Sequence, residues 1–459
     1  MSESADEREA EAPRELTVEQ AVELALSIQK RGRLDAAEEI YRRVLETVPE
    51  HVDALHFLGI ARYHRGQRDE GLALIRRALE LAPENLDARN NLGNMLSSRG
   101  RLEEAEAAFR HVLERAPDHV HALANLGSVL RRRGELAGAE AALRRAIALA
   151  PDHGEAYHNL VNVLRDLERD DEALDVSRTA LELFPYEAEA YRATGALLYA
   201  SGRVSEALAL YRRWLEVEPH SDSARHMIAS CSGEAPPPRA ADEFVRRTFA
   251  GFADGFDRIL TRLDYRAPAL VAQAVRTLAG QPARALAVLD AGVGTGWCGA
   301  DLRPFARTLV GVDLSPEMLA KARERQLDDH PTYDELVEGE LTAFLRARPL
   351  AYDLIVSADT LVYFGPLEDV LGAAAGALLP GGHLVFTVEQ ASDDAAGGFR
   401  LNPHGRYSHA EPYLRRTLAA AGFAEPLIDR VILRQELKVP VAGYLVTARL
   451  ATAPSRTEP

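Results

Sequence analysis

The chain has 459 residues, with 54 Lys and Arg against 70 Asp and Glu, which gives a formal net charge of −16. This length allows two or three domains, each with its own core. Because the chain is acidic, it has no general attraction to nucleic acid or anionic membranes, and we expect neither as a partner. Two cysteines, Cys231 and Cys298, exclude a disulfide framework. A polar, acidic N-terminus and no apolar stretch long enough for a bilayer predict a cytoplasmic protein.

Proline recurs every 34 residues in the first half, at Pro49, Pro83, Pro117, Pro151, Pro185 and Pro219. Glycines keep the same interval at Gly32, Gly66, Gly100, Gly134 and Gly202, with Glu168 as the exception. Glycine permits the turn between two helices, and proline ends the second helix. A period of 34 with these residues is typical of tetratricopeptide repeats. It predicts six repeats over about residues 18–221, beginning at a capping box formed by Thr17 and Gln20.

Composition shifts predict the domain boundaries. We expect an acidic, disordered tail over residues 1–16, and the repeat array with a capping helix over 17–230. A proline-rich linker follows over 231–240, and it is predicted to be a semi-rigid spacer. An α/β domain is expected over 241–451, with a second disordered tail over 452–459. The fold class is therefore an all-α superhelix followed by an α/β domain.

Three asparagines, Asn91, Asn125 and Asn159, also lie 34 residues apart in the array. Side-chain amides donate to and accept from a peptide backbone without reading its side chains. The spacing resembles the asparagine ladder in the repeats of O-linked N-acetylglucosamine transferases. That resemblance implies a protein or peptide partner on the concave face of the array. The alternative, that these asparagines are ordinary polar residues facing water, stays open.

The most informative stretch of the second half is an apolar strand that ends in Asp290 and continues into alternating glycines. Gly292, Gly294 and Gly296 allow a tight loop whose backbone approaches a ligand. About twenty residues on, a second strand ends in Asp313, and a carboxylate there suits the two hydroxyls of a ribose. The pair predicts a nucleoside-containing cofactor.

Residues 290–296 and 313–318, together with 333–340, 352–359 and 379–382, resemble in order and spacing the motifs of class I S-adenosylmethionine-dependent methyltransferases. The resemblance implies a Rossmann-like, seven-stranded sheet with an antiparallel last strand. It also implies S-adenosylmethionine as the cofactor, with Glu340 near the adenine amine where Asp is commoner. The cofactor-binding residues that it implies are Asp290, Gly292, Gly294, Thr295, Gly296, Asp313, Leu314, Met318, Glu340, Leu341 and Ala358.

The glycine run also fits a dinucleotide fingerprint through Gly294, Gly296 and Gly299. Against this interpretation, Asp290 would repel a pyrophosphate, whereas it complements the cationic amino and sulfonium groups of S-adenosylmethionine. The methyltransferase interpretation is therefore favoured.

Alternating strand and helix patterns predict a mostly parallel sheet with ligands at the carboxyl ends of its central strands. The predicted strands are residues 285–290, 308–313, 336–338, 353–357, 383–388, 427–433 and 442–450. An aromatic segment over 243–257 precedes them, and we expect it to cover the cofactor or to pack on the sheet.

A general base is needed only if the acceptor must lose a proton early. The candidates by position along the chain are Asp359, Tyr363, Glu389, Tyr407 and His409, of which Asp359, Tyr363 and His409 are the predicted catalytic residues. Asp359 follows the fourth strand, and His409 lies in a Gly-rich connection that we predict to be a lid. The histidines show no metal-ligand spacing, so no metal is expected.

The sequence therefore predicts a methyltransferase that acts by in-line displacement, with repeats that recruit a protein or peptide acceptor. A small-molecule methyltransferase that uses its repeats for assembly is one alternative. A non-catalytic scaffold that binds the cofactor is another. The oligomeric state is not predicted.

Overall fold

The computed structural model describes residues 16–234, 236–250, 256–436 and 439–452. The chain divides into two compact units, Met1–Phe184 and Pro185–Pro459. The tails predicted to be disordered lie outside the described residues, apart from Leu16 and Thr452. This division falls at the end of the fifth repeat, because the helix pair of the sixth repeat groups with the α/β fold. The domain boundaries drawn from the sequence stay a prediction.

Five pairs of helices form the first unit. They are α1 Val18–Lys30, α2 Leu34–Thr47, α3 Val52–His64, α4 Arg68–Leu81, α5 Leu86–Ser98, α6 Leu102–Arg115, α7 Val120–Arg133, α8 Leu136–Leu149, α9 Gly154–Asp166 and α10 Asp170–Leu183.

Local sequence signals mark the helix ends: a capping box, turn glycines and prolines. Thr17 and Gln20 form the predicted capping box at the start of α1. Lys30 ends α1, and Gly32 follows at φ +77 with the N–H of Arg33 bonded back to the carbonyl of Ile28, which closes the turn to α2. The repeated prolines lie just beyond the second helix of each pair, where the residue before proline is extended. The repeat period thus fixes the helix boundaries.

Helix pairs pack through glycines where the partner side chain is large. A Cβ on Gly93 would lie 2.6 Å from Phe109, and one on Gly127 would lie 2.5 Å from Leu143. Phe109 and Leu143 are fully buried. Glycine at these positions therefore lets an apolar side chain of the second helix press against the backbone of the first.

The second unit begins with the last helix pair, α11 Ala188–Ala200 and α12 Val204–Val217, and a following helix, α13 Asp222–Ser232. Next come α14 Asp242–Ala250, α15 Phe256–Arg262 and α16 Ala267–Ala279. The remaining helices are α17 Gly299–Leu302, α18 Pro316–Glu324, α19 Leu341–Arg346, α20 Glu368–Ala377 and α21 Glu411–Ala420, and two short 3-10 turns lie at Leu361–Tyr363 and Ala396–Gly398.

The proline-rich segment between α13 and α14 is bonded to the α/β fold. The carbonyl of Pro238 accepts from the N–H of Gly365 at 2.9 Å, and the N–H of Ala240 donates to the carbonyl of Tyr363 at 2.8 Å. Arg239 forms an isolated bridge to Phe364. The described part of this segment is therefore anchored along its length, which a spacer held only at its ends would not be.

The strands are β1 Leu286–Ala291, β2 Ala306–Asp313, β3 Gln326–Leu327, β4 His330–Pro331, β5 Glu335–Glu338, β6 Tyr352–Ser357, β7 Leu378–Gln390, β8 Phe399–Leu401, β9 Tyr407–His409, β10 Leu427–Glu436 and β11 Val439–Arg449. The main sheet has the order β10-β11-β7-β6-β1-β2-β5. Its central strands are parallel, and β11 is antiparallel to both neighbours. This is the predicted seven-strand path with its antiparallel closing strand, and the α/β fold is confirmed.

Four short strands were not predicted: β3 and β4, which pair with each other, and two that join the main sheet, β8 and β9. The latter two lie in the Gly-rich connection after β7, and β9 pairs with β7 in parallel through Ser408 and His409. The prediction that this connection is a lid is wrong for residues 399–409, because they are hydrogen-bonded into the sheet. Within the described part of the chain, no helix combines the length and apolar character needed to cross a membrane.

Candidate active site

A cavity of about 290 Å³ lies at the carboxyl ends of the central strands. Its volume is near the lower end of the range for small-molecule sites, about 300–1,000 Å³. Every predicted cofactor residue except Gly296 lines it. Gly296 instead faces away, and a Cβ there would lie 3.1 Å from the ring of Tyr333. The sheet thus brings together motifs that are far apart in the sequence.

The glycine loop after β1 needs its glycines for geometry. Gly292 and Gly294 have φ of +78 and +53, values that side chains disfavour. A Cβ on Gly292 would lie 1.9 Å from Thr360, whereas one on Gly294 would meet nothing within 4 Å. The loop therefore packs tightly on the Thr360 side and leaves open space at Gly294, which lines the cavity.

Asp290, at the end of β1, is a buried carboxylate with 1% exposure. Tyr333 donates a hydrogen bond of 2.7 Å to its Oδ2. Burial raises the pKa of Asp290 to about 7, and the charge of Asp313 adds to this while the Tyr333 bond opposes it. A carboxylate so poorly compensated by the protein is suited to receive a cationic ligand.

Asp313, at the end of β2, is tied to the glycine loop. Its Oδ2 accepts from the N–H of Gly294 at 2.8 Å, and its Oδ1 accepts from the N–H of Ser315 at 2.9 Å. Burial raises the pKa of Asp313, and these backbone donors oppose the rise. Each oxygen keeps a further lone pair, so the residue can hold the loop and still accept from hydroxyls.

Glu340 is used as a helix cap. Its two side-chain oxygens accept from the N–H groups of Thr342 and Ala343, at 3.0 and 2.8 Å, at the start of α19. The residue lines the cavity as predicted, and its capping bonds fix the carboxylate there. The role toward an adenine amine stays a prediction.

An ion pair that the sequence did not indicate covers the outside of the loop. Asp257, on α15, accepts from Thr295 Oγ1 at 2.7 Å and pairs with Arg325 at 2.6 Å. Arg325 also donates through Nε to the carbonyl of Thr295. The aromatic segment predicted to cover the cofactor thus meets the loop through a carboxylate at its end. Its phenylalanines Phe249 and Phe256 line the cavity, and Phe252 lies outside the described residues.

Asp359, which follows β6, is a further carboxylate that lines the cavity. Asp359 has φ +53, and its Oδ1 accepts from Thr387 Oγ1 at 2.9 Å. Its Oδ2 pairs with Arg434 Nη1 at 2.6 Å. Burial raises the pKa of Asp359, although the Arg434 charge opposes the rise. With both oxygens held, this predicted catalytic residue is placed as a fixed anion.

Arg434 is the centre of what we call the arginine network, formed by Asp359, Glu389, Arg406, Arg434 and Glu436. The Arg434 side chain is 5% exposed and pairs with all three of these carboxylates. Arg406 Nε pairs with Glu389 at 2.7 Å, and its Nη2 reaches Glu436. Burial disfavours the charge of Glu389, but Arg406, His404 and Arg434 hold its pKa well below the usual range.

Sequence reasoning missed Arg434 because it follows an apolar strand pattern. The register of β10 against β11 shifts between Ile432 and Arg434. Such a bulge re-aims the side chains that follow it. The sequence pointed to Asp359 and Glu389 by position, but no local pattern marked Arg434 as their partner.

The other two predicted catalytic residues have different positions. Tyr363 lines the cavity, and burial raises its pKa to about 12, so it keeps its proton at neutral pH. His409 is fully buried and does not line the cavity. Its Nε2 donates to the carbonyl of Gly365 at 2.8 Å, and burial lowers its pKa to about 4. A catalytic role for His409 is therefore not retained.

Two of the three predicted groove asparagines are bonded to polar side chains of the preceding repeat. Asn91 Nδ2 lies 2.9 Å from His56 Nε2, and Asn125 Nδ2 donates to Asn90 Oδ1 at 3.1 Å. These bonds link the first helices of adjacent repeats. In both, the asparagine takes part through its side-chain Nδ2 and not through its Oδ1. Peptide binding by Asn91, Asn125 and Asn159 stays a prediction. Among the residues that the structure describes, no three His, Cys, Asp or Glu are grouped to hold a metal.

Family models match both halves of the chain. A model described as a methyltransferase domain matches residues 263–424, and tetratricopeptide repeat models match 50–118, 90–154 and 158–224. The chain joins tetratricopeptide repeats to a methyltransferase domain. Among curated proteins it is similar to the malonyl-[acyl-carrier protein] O-methyltransferase of Enterobacter lignolyticus (strain SCF1), with 36% identity over 178 residues. The match covers 38% of this chain and 66% of that relative, just under two thirds of its length.

Two solved structures that are similar to this chain each match just under half of its length. The Pseudomonas aeruginosa protein pilF is 19% identical, with a TM-score of 0.40, 46% of this chain and 96% of that chain covered. PilW, described as a type IV pilus biogenesis factor, is 19% identical with a TM-score of 0.43 and covers 46% of this chain and 98% of its own. These scores are too low to support a functional argument.

Proposed function

We propose that the methyltransferase domain uses S-adenosylmethionine and that the repeats recruit a protein or peptide acceptor. The observation that carries the proposal is the buried carboxylate of Asp290 behind an open glycine loop, in one cavity with Asp313. When bound, S-adenosylmethionine supplies an activated methyl group on a cationic sulfur.

The residues of the cavity fit this cofactor. Asp290 offers a negative charge with one neutral donor, Tyr333, and the open side of Gly294 leaves room for a ligand next to Asp313. A pyrophosphate would meet two carboxylates there, and like charges at close range are unfavourable. We therefore assign Asp290 to the cationic part of the cofactor and Asp313 to its ribose.

The remaining cavity residues orient the acceptor and exclude water. Phe249, Phe256 and Trp297 form apolar lining, and an enclosed apolar wall favours transfer to the acceptor over loss to solvent. Tyr363 carries a proton at neutral pH and is a donor that can orient the acceptor. Asp359 is held by Thr387 and Arg434 and contributes a fixed charge. The reaction proposed is a direct displacement aligned by these residues.

A second candidate acceptor is an acyl group on a carrier protein. Of the three predicted catalytic residues, none is placed to remove a proton: Asp359 is paired, Tyr363 holds its proton and His409 lies outside the cavity. An acceptor that is already a nucleophile, such as a carboxylate, needs no base. The curated relative is by its name an O-methyltransferase of malonyl-[acyl-carrier protein], which is also a protein-borne acceptor.

The cofactor is tested by calorimetry on the full chain with S-adenosylmethionine, its demethylated product and NAD. We expect heat with the first two only, and loss of both signals in Asp290→Ala. Binding of NAD alone would refute the proposal.

The acceptor is tested by incubating the full chain with lysate and labelled S-adenosylmethionine. Labelled protein bands that weaken in a triple variant, Asn91→Ala, Asn125→Ala and Asn159→Ala, support recruitment by the repeats. The matched control changes three exposed second-helix residues, Glu46→Gln, Glu114→Gln and Glu182→Gln, and should label as the unaltered chain does. Label found only in small molecules would contradict a protein-borne acceptor of either kind.

A further inference from the structure

The turn that carries Arg406 to the cavity is covered by α13, the helix that follows the last repeat. His226 on α13 is 2% exposed, and its Nε2 donates to the carbonyl of Gly405 at 2.8 Å. One helical turn further along, Ser230 Oγ lies 3.4 Å from the carbonyl of Pro403, while its shorter bond, 2.8 Å, goes to the carbonyl of Met227 within α13. One face of α13 thus bonds one carbonyl of the turn and contacts a second.

The turn is also packed closely from that side. Gly405 has φ +88, and a Cβ on it would lie 3.2 Å from Met227 Sδ and 3.2 Å from the ring of Phe244. The rings of His226 and Phe244 lie 4.3 Å apart between centroids. Because side chains of α13 and α14 fill the space against Gly405, the turn has little room to shift.

Internal bonds and the following strand fix the other side of the turn. The N–H of Gly405 donates to the carbonyl of Asn402 at 2.8 Å, and the N–H of Asn402 donates to the carbonyl of Arg406 at 2.9 Å. Directly afterwards, β9 pairs with β7. The backbone of Arg406 is therefore positioned by α13 on one side and by the sheet on the other.

Two side chains of this turn enter the arginine network. Arg406 pairs with Glu389 and Glu436, and His404 Nε2 lies 3.4 Å from Glu389 Oε2. Glu389 and Glu436 in turn pair with Arg434, which holds Asp359. Consecutive ion pairs thus connect the turn to a cavity-lining carboxylate.

We infer that His226 is a positioning residue for methyl transfer: its bond to the Gly405 carbonyl sets where Arg406 meets Glu389 and so fixes Asp359. His226 itself does not line the cavity. The inference rests on the proposed function, because it gives the arginine network a part in that reaction. It also makes α13, the last helical element of the array, a working part of the methyltransferase site.

Two substitutions separate positioning from packing. His226→Phe keeps an aromatic ring against Phe244 and removes the donor, while His226→Gln restores a donor at a comparable distance from Cα. His383→Phe is the matched control, since His383 is a half-buried histidine in the first half of β7, away from the carboxyl ends of the strands.

The probes are the demethylated cofactor product, measured by calorimetry, and the initial rate of label transfer from S-adenosylmethionine into lysate acceptors. We expect His226→Phe to lower the rate by about tenfold, the equivalent of one buried hydrogen bond, with product binding unchanged. His226→Gln should recover most of the rate, and His383→Phe should match the unaltered chain. An unchanged rate in His226→Phe would overturn the inference.

A double-variant cycle gives a readout that a packing role would not produce. If His226 acts through Arg406, the rates of Arg406→Gln and of Arg406→Gln with His226→Phe should be equal. If the rate of the double variant instead falls by the product of the two single-variant losses, His226 acts independently of Arg406. If His226→Phe does not fold, Ser230→Ala, which removes the weaker bond to the turn, takes its place in the cycle.

Failure of the proposed function can be told apart from failure of the positioning role of His226. If the unaltered chain binds neither the cofactor nor its product, the proposed function fails, and hydrogen exchange decides the inference alone. His226→Phe must then speed exchange at residues 402–409 without speeding it at 286–296; equal exchange at 402–409 would refute the positioning role.

Discussion

Charges in the repeats and charges around the cavity are arranged differently. In the first unit, ion pairs such as Arg101–Glu104 and Arg77–Glu80 lie at the surface, three positions apart on one helix. Around the cavity, Asp290 and Arg434 are buried, and the Asp359 side chain is only 12% exposed. Exposed pairs of the first kind contribute little to stability.

The difference in charge burial indicates which part of the molecule is the candidate functional site. Burying a charge costs free energy unless it is well paired, and even a paired cluster is seldom more stable than an apolar one of the same shape. The repeats bury few charges, and the buried acids Glu38 and Glu106 are each paired with arginines. The cavity differs in Asp290, a buried carboxylate that accepts from the neutral donor Tyr333, and this difference makes it the candidate functional site.

The largest effect is expected from removing the centre of the network. Arg434→Met leaves Asp359 without its ionic partner and removes one of the two arginines that pair with Glu389, so it should lower the free energy of unfolding by about 3–5 kcal/mol. Both tryptophans, Trp214 and Trp297, lie in the second unit, so urea unfolding followed by tryptophan fluorescence reports that unit. Arg346→Met, at an exposed ion pair with Asp369 in the same unit, is the surface counterpart and should leave unfolding unchanged. Equal midpoints for Arg434→Met and the unaltered chain would contradict the comparison.

The next effect concerns the pH dependence of cofactor binding. Because the pKa of Asp290 is about 7 in the free protein, binding of a cation below that pH requires the carboxyl to lose its proton. The affinity for S-adenosylmethionine should rise by about tenfold from pH 5.5 to 6.5 and level off above pH 7. Calorimetry at each pH measures this.

Asp290→Asn is the control for the pH profile. It should bind weakly and without the step near pH 7. A step that persists in Asp290→Asn would place the titrating group elsewhere. Tyr333→Phe removes the bond that favours the charged form of Asp290, so the step should move to higher pH.

A smaller effect tests packing in the repeats. Gly93→Ala places a Cβ against the buried ring of Phe109 and should cost about 1–3 kcal/mol by overpacking. Helical circular dichroism during thermal unfolding measures the change. Asn94→Ala, at an exposed position on the same helix, should change stability by less than about 0.5 kcal/mol. Equal costs for the two would show that the helix contact is not tight.

The smallest effect tests a cap. His119 begins α7 by accepting from the N–H of Ala122 through Nδ1, as His51 and His153 do in their own repeats. His119→Ala should cost about 1 kcal/mol. His119→Asn retains a capping acceptor and should cost much less, in the same measurement. A loss equal to that of His119→Ala would argue against capping.

The repeats were predictable because each helix contains its own local signals. The proline period located the end of every second helix, and Thr17 and Gln20 marked the first helix start. Strand positions such as residues 353–357 were also close to the structure, since β6 spans Tyr352–Ser357 and is a buried apolar run. The cofactor motifs converged because the carboxyl ends of parallel strands meet at one edge.

The rest of the site depends on pairing that no local pattern encodes. His409 was expected at the cavity, but the register of β9 against β7 turns its ring toward Gly365. Arg434 reaches Asp359 across 75 residues because of a bulge in β10. Asp257 meets Thr295 and Arg325 only after α15 has folded over the loop. These contacts are tertiary, and single-sequence patterns carry no information about them.

Glu168 occupies the turn position that is glycine in the other repeats, and it keeps the left-handed backbone at φ +58. The surrounding helices therefore impose the turn, and the residue bears a conformational strain of about 1 kcal/mol. An artificial array assembled by duplicating one unit should for this reason copy residues 86–119, which contain Gly100, and not 154–187. Every copy of residues 154–187 would add the same strained turn, and the loss in folding free energy would grow with the number of copies.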